Sequence, residues 1–549
     1  MLSSTQHGRL IQARARSVAV LLAALALCGA GCGDDGDDDA AAQIQQGTII
    51  SLGDGRVQGD IDGGTRRFLG IPFAAPPVGD LRWRPPAPPI PWQGVREAKL
   101  FSAGCPQGPS LQGTASEEED CLYLNVWTPE PAPAQPLPVM VWFHGGSNQT
   151  GSTGDQVPFG IGGPLYNGRA LAETRDVIVV TTNYRLNVFG FFAHSALAAE
   201  DPTHPYAGNQ GLLDQRAALE WVQKNIRAFG GDPDNVTIFG ESAGSFDVCF
   251  HVVSPKSRGL FHRAISESGG CTTRQPTAAE AEAEAERLIT AVGCAGTNDI
   301  LACLRQVPVA DLLDASGFGP IVGGDSLPDG LGPIVDGDFL PDQPRALFAS
   351  GDFAKVPYIL GSNADEGTIF FLGVPPVETD EEYLAALHAQ YGDLAEQVAD
   401  LYPPGQFPSQ QDALVRAFGD AVLVCPTYDS ARRAAAGGAD VHLYNFARPV
   451  SIPELAPLKL GALHGIEIAY VFGSVQVPNP TDQALALAMQ GYWSRFARHG
   501  NPNGEGALVW PRYEDASDQR LNFDAEISVL TGFRRTECEF WWDTYDAEF

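Results

Sequence analysis

Residues 236–244 read Val-Thr-Ile-Phe-Gly-Glu-Ser-Ala-Gly. The apolar and β-branched run suits a strand buried on both faces, and it stops at Gly240. Gly240 and Gly244 stand two residues on either side of Ser242, the pattern GxSxG. Between a strand and a helix this pattern forms a turn too tight for larger side chains at the glycines, and it lifts the serine hydroxyl above the sheet. The helix that follows points its first N–H groups at any negative charge that develops there. Alone, the pattern is weak evidence in a chain with 61 glycines, and its strand–turn–helix setting gives it weight.

Further short apolar runs on either side read as buried strands: Val139–Phe143, Val177–Thr182, Ala264–Ser266, Tyr358–Leu360 and Val441–Tyr444. Helical patterns lie between some of them. Asp214–Ala228 places Ala217, Leu219, Trp221, Val222 and Ile226 on one broad apolar face, and Ala278–Val292 is a second helix, rich in Ala and Glu. Strands alternating with helices indicate the α/β class: one large, mostly parallel central sheet with helices on both faces. In such sheets reactive groups collect beyond the C-terminal ends of the strands.

The run ending at Phe143 is followed by His144-Gly145-Gly146-Ser147. An oxyanion needs N–H donors at short range, and small residues let backbone approach that closely. A serine hydroxyl needs a base before it can attack, so a histidine is required. Among ten histidines, His464 in Leu-His-Gly-Ile-Glu lies downstream of both Ser242 and a pair of carboxylates, Asp365 and Glu366. His144 suits support of the glycine loop better than base catalysis. The acid must orient the imidazole and stabilise its charged form, and spacing alone does not choose between Asp365 and Glu366. The order serine, acid, histidine is that of α/β-hydrolases.

With these motifs in place the chain resembles the type-B carboxylesterase/lipase family, cholinesterase-like α/β-hydrolases. The resemblance rests on Phe68–Ala74 (FLGIPFA), Glu119–Val126 (EDCLYLNV), Asn183-Tyr184-Arg185, Gly190-Phe191, Gly208–Gly244 with its Asp214-Gln215 and Phe229–Pro233 (FGGDP), Gly361–Gly367 and Leu463–Gly473. It implies a serine carboxylesterase acting through an acyl-enzyme on short to medium carboxylic esters, with Ser242 as nucleophile, His464 as base and Glu366 as acid. It further implies oxyanion donors at Gly146, Ser147 and Ala243, although Ser147 stands where the family often has a third glycine. Glu241 and Ser268 match positions that support the histidine. Disulfides Cys105–Cys121, Cys294–Cys303 and Cys425–Cys538 are implied as well, leaving Cys249 and Cys271 either paired or as buried thiols.

The family also includes inactive members that bind partner proteins, typically after losing a triad residue, and lipases that work at lipid interfaces. Here all three triad positions are filled. A choline ester is not the expected substrate, because the Cys105–Cys121 stretch holds no aromatic residue to stack on a cationic head group.

The rest of the chain sets the context. Of 549 residues, 44% are hydrophobic and 19% charged, enough apolar content for a large core. The net charge of −32 excludes a nucleic-acid partner, since phosphates would repel it. The expected partner is a small-molecule ester, with no cofactor; the pattern assigns no oligomeric state. No CxxC pair or His/Cys cluster suggests a metal site.

Residues 1–31 read as an export signal: Arg9, Arg14 and Arg16 precede a short apolar run, Ser17–Cys28, and small residues lead into Cys32. Cys32 resembles the lipidated cysteine of a bacterial lipoprotein, with Gly29 where Leu is usual. Residues 32–45 form an acidic tether and 46–549 one folded domain. The product is expected in the cell envelope as a lipoprotein, held on a membrane face through Cys32, or secreted. The eight cysteines beyond this segment, an even number in an exported chain, argue for disulfides.

Overall fold

Among the described residues, fourteen strands carry the architecture of the computed structural model: β1 (Ile49–Leu52), β2 (Gly55–Gln58), β3 (Asp60–Asp62), β4 (Thr65–Pro72), β5 (Val95–Glu97), β6 (Tyr123–Pro129), β7 (Leu137–Phe143), β8 (Ile178–Thr182), β9 (Gly231–Glu241), β10 (Arg263–Glu267), β11 (Tyr358–Asn363), β12 (Val441–Phe446), β13 (Gln519–Phe523) and β14 (Ser528–Thr531). The structure describes residues 43–110, 113–156, 163–201, 208–317, 331–451, 455–474 and 479–547. All of them belong to one unit, Asp37–Phe549. The export segment, Cys28, Cys32 and the tether as far as residue 42 lie outside the described residues.

Eleven strands form one sheet in the order β14-β13-β12-β11-β10-β9-β7-β8-β6-β4-β3. The block from β8 to β13 is parallel throughout. Antiparallel strands close both margins, β6, β4 and β3 on one side and β14 on the other. A small separate sheet joins β1, β2 and β5. All six apolar runs read from the sequence become middle strands, and β9 extends back to Gly231.

Even within a continuous apolar run the two-residue pleat sorts side chains to opposite faces. Val139, Val141 and Phe143 enter a core with the helices Gln210–Asn225, Ala243–Val253 and Cys425–Ala436. Met140 and Trp142 enter a second core, under the helices Arg169–Arg175 and Pro480–His499. The helix expected to start at Asp214 starts at Gln210, and Ala218 rather than Ala217 is buried. Asp214 is no solvated starting residue: it is fully buried and takes a two-pronged bond from Arg185, Nε and Nη2 each at 2.7 Å.

Gln45 already belongs to the folded body, its N–H reaching the Ala228 carbonyl and its side chain bonding Ser51 in both directions. Among the described residues four disulfides form: Cys105–Cys121, Cys249–Cys271, Cys294–Cys303 and Cys425–Cys538. The Cys249–Cys271 pair, left open by the sequence, ties the helix Ala243–Val253 to the loop after β10. Among the described residues no helix is long and apolar enough to cross a membrane.

β7 is the switch point of the sheet, with β8 added on one side and β9 on the other. Chains leaving β7 and β9 therefore part in opposite directions and open a crevice at their C-terminal ends. Phe143 and Gly240 face each other in register at that edge, so the glycine loop after β7 and the serine turn after β9 emerge side by side.

Candidate active site

Ser242 caps the helix Ala243–Val253 in a strained conformation, φ 54° and ψ −124°, that non-glycine residues rarely adopt. Its N–H is held by the Glu267 carbonyl at 2.9 Å, at the end of β10. Its side chain makes no cap bond to the helix and stays half-buried. The flanking glycines are required by close approach. A Cβ on Gly244 would lie 2.0 Å from the Phe143 carbonyl oxygen, and one on Gly240 would lie 2.5 Å from the Gly244 carbonyl oxygen.

The loop after β7 lies directly against this turn. A Cβ on Gly145 would come within 3.0 Å of the Ser242 Cβ and of the Glu241 carbonyl. Gly146 has φ 107°, and Ser147 and Asn148 are both left-handed at 58° and 57°. The Gly146 carbonyl accepts the N–H groups of Gln149 and Thr150, each at 2.9 Å, which turns the loop back on itself. Among the described residues the N–H groups of Gly146 and Ser147 donate to no protein acceptor. Ala243, as first residue of its helix, has an N–H without an intrahelical acceptor. His144 lies under the loop, stacked on Tyr184 at 4.4 Å with Nδ1 2.9 Å from the Gly145 carbonyl. Burial lowers its imidazole to about 4, so it stays neutral and supports the loop.

The two candidate acids separate clearly. Asp365 pairs with the strand of chain leading to His464: its N–H reaches the Ala462 carbonyl at 3.1 Å, and its carboxylate accepts the Ala462 N–H at 2.9 Å and an Arg416 N–H at 3.2 Å. Glu366, one residue on, places Oε2 2.6 Å from His464 Nδ1, while its other oxygen takes the Asn363 N–H at 2.6 Å. Phe370 lies against the imidazole, ring centres 5.3 Å apart.

The second imidazole nitrogen faces the serine turn. Nε2 of His464 is 3.1 Å from Oε1 of Glu241, the residue preceding Ser242. Ser268 acts at one remove: its hydroxyl donates to Glu467 at 3.2 Å, and Glu467 also accepts from the Asn363 side chain. Glu467 and Glu267 have roles the sequence reading did not assign. Both are fully buried, and Glu267 is held by the Trp493 indole at 2.8 Å. The only signal for Glu467 is its place three residues after His464.

Burial dominates the electrostatics. It pushes the Glu241 carboxyl up to about 7, Glu267 up to about 8 and Glu467 far above its ordinary range. Burial alone would lower the imidazole of His464, but Glu241 and Glu366 on either side raise it to about 9. Among the described residues no His, Cys, Asp and Glu cluster fits a metal ion.

The sequence profile of the carboxylesterase family matches residues 46–541. The fumonisin B1 esterase of Sphingopyxis macrogoltabida is 39% identical over 484 residues, 84% of this chain and 83% of the relative. The para-nitrobenzyl esterase of Bacillus subtilis is 36% identical over 507 residues, covering 88% and 96% of the two chains. The acetylcholinesterase of Bungarus fasciatus is 35% identical over 534 residues, covering 88% and 83%. A solved structure of a PNB esterase superposes with a TM-score of 0.77 at 36% identity, over 90% of this chain and 99% of the other.

Removing the charge of Glu241 takes away one of the two carboxylates that favour imidazolium. Glu241→Gln is therefore expected to move the acidic limb of the kcat/KM profile to lower pH, by about one pH unit or more. The measurement is initial rate against pH on p-nitrophenyl butyrate. An acidic limb that stays in place would show that Glu241 does not act on His464.

Proposed function

The chain belongs to the carboxylesterase family, a serine carboxylesterase acting on small carboxylic esters, and on that premise we propose that Ser242, His464 and Glu366 form its catalytic triad. The observation that carries the proposal is the 2.6 Å contact between Glu366 and His464 Nδ1, with the opposite nitrogen turned to the serine turn. Glu366 holds the proton on Nδ1 and stabilises the imidazolium, so Nε2 is the nitrogen available to Ser242. As Oγ attacks the ester carbonyl, His464 takes its proton and the Gly146, Ser147 and Ala243 N–H groups receive the oxyanion. The alcohol departs with a proton from His464, and water repeats the sequence on the acyl-enzyme to release the acid.

The Cys105–Cys121 stretch lacks an aromatic platform for a quaternary ammonium, which favours short to medium neutral esters over choline esters. The family's inactive binding members are a poor comparison, because nucleophile, base and acid are all present.

Ser242→Ala is expected to lower hydrolysis of p-nitrophenyl butyrate by about 10⁴-fold or more. Wild-type activity in this variant would end the proposal. In an ester panel, short soluble acyl groups should be hydrolysed faster than long-chain triglyceride emulsions, and the reverse order would favour a lipase.

We also propose that residues 1–31 direct export, that Cys32 carries lipid, and that residues 32–44 tether the folded body, which includes Gln45, to the membrane face. Labelled palmitate fed to a bacterial host should enter the full-length protein and not Cys32→Ala; equal labelling of both would refute lipidation at Cys32.

A further inference from the structure

The helix that begins after Ser242 carries Asp247, a fully buried carboxylate without an ion-pair partner among the described residues. A carboxylate buried away from any cation is unfavourable unless donors satisfy it. Here two amide groups from different elements converge on it. Asn148 Nδ2 donates to Oδ1 at 3.1 Å, from the loop after β7, and Gln215 Nε2 donates to Oδ2 at 2.6 Å, from the helix Gln210–Asn225.

The orientation of Gln215 is set from behind. Its Oε1 lies 3.0 Å from His251 Nε2, and His251 Nδ1 lies 2.7 Å from the Ser257 hydroxyl. Burial keeps His251 neutral, so a proton on Nε2 directed at Oε1 leaves the Gln215 amide group to donate to Asp247. Asn148 is pinned on its backbone too, its carbonyl accepting the Asn187 N–H at 2.7 Å. It follows Ser147, and both sit in the left-handed region that aims the loop's N–H groups.

We propose that Asp247 is a positioning residue for the oxyanion donors: by holding Asn148 it fixes the left-handed loop that presents the Gly146 and Ser147 N–H groups to Ser242. Nucleophile and clasp are on one helix, five residues apart, so the bond ties the attacking group and the oxyanion loop into one rigid unit. The inference rests on the reading of Gly146 and Ser147 as oxyanion donors.

The test is a double-mutant cycle on the full chain with Asp247→Ala, Asn148→Gly and the pair, Gly being chosen because it accepts the φ of 57°. Each single change is expected to lower kcat per mole of folded protein by about 10- to 100-fold, below or near the loss from deleting a donor outright. KM should stay within about twofold, because substrate meets the oxyanion donors fully only in the transition state. The double variant should lose no more than the worse single one. Affinity for a trifluoromethyl ketone, which forms a tetrahedral adduct, should fall by the same factor as kcat/KM. If Asp247→Ala does not fold, Asp247→Asn carries the test, since an amide offers one acceptor where two are needed.

Wild-type kcat in Asp247→Asn and Asn148→Gly, or losses that simply add, would overturn the proposal. A lowered melting temperature with unchanged kcat would also overturn it, since that is what a purely structural role gives. Activity surviving in Ser242→Ala would instead overturn the reading on which it rests.

Discussion

Everything at the site depends on how closely the chain passes itself where β7 and β9 end. The backbone of Gly244 runs so near the Phe143 carbonyl that a side chain would leave 2.0 Å between them. That clearance lets the helix Ala243–Val253 start directly over the sheet edge, with Ser242 forced into its strained conformation at the start. It also sets the glycine loop against the serine turn, because β7 and β9 are in register at Phe143 and Gly240. A parallel sheet with its switch point at β7 supplies the crevice, and small residues supply the proximity.

The second organising feature is charge held in a dry place. Glu241, Glu366 and Glu467 are buried about His464, and Glu267 is buried beside Glu241. Each has a defined neighbour: imidazole for Glu241 and Glu366, indole for Glu267, and Asn363 with Ser268 for Glu467. Burial raises Glu267 and Glu467 towards their neutral forms. The two carboxylates touching His464 favour its charged form, the form it must adopt while Ser242 is acylated in the proposed mechanism. Asp247 extends the same logic to the proposed oxyanion side, where amide donors from two elements stand in for a cation.

The legibility of these parts in the sequence varies for physical reasons. The central strands could be read because parallel strands covered on both faces are continuous apolar runs. β4, β6, β13 and β14 could not, since polar residues interrupt them. In β4, Arg66 is fully buried with its guanidinium on the Gln45 and Gly47 carbonyls, a partnership between distant segments that no local pattern announces. The serine turn was legible from its glycines. The choice between Asp365 and Glu366 needed the family resemblance, because what separates them is the bond of Asp365 to Ala462, 97 residues on. Glu467, Glu267, Asp247 and Asn148 were silent for a common reason: a buried polar residue looks like a surface one until its partners are known.

In the proposed mechanism the serine hydroxyl, the imidazole and the loop N–H groups converge on one reacting carbon. A crystal structure of the protein after reaction with a p-nitrophenyl alkylphosphonate tests this most directly. Phosphorus should be bonded to Ser242 Oγ, with its phosphoryl oxygen about 2.7–3.1 Å from the nitrogens of Gly146, Ser147 and Ala243. His464 Nε2 should lie within hydrogen-bond reach of the adduct. An adduct on another residue, or a phosphoryl oxygen turned away from those three N–H groups, would contradict it.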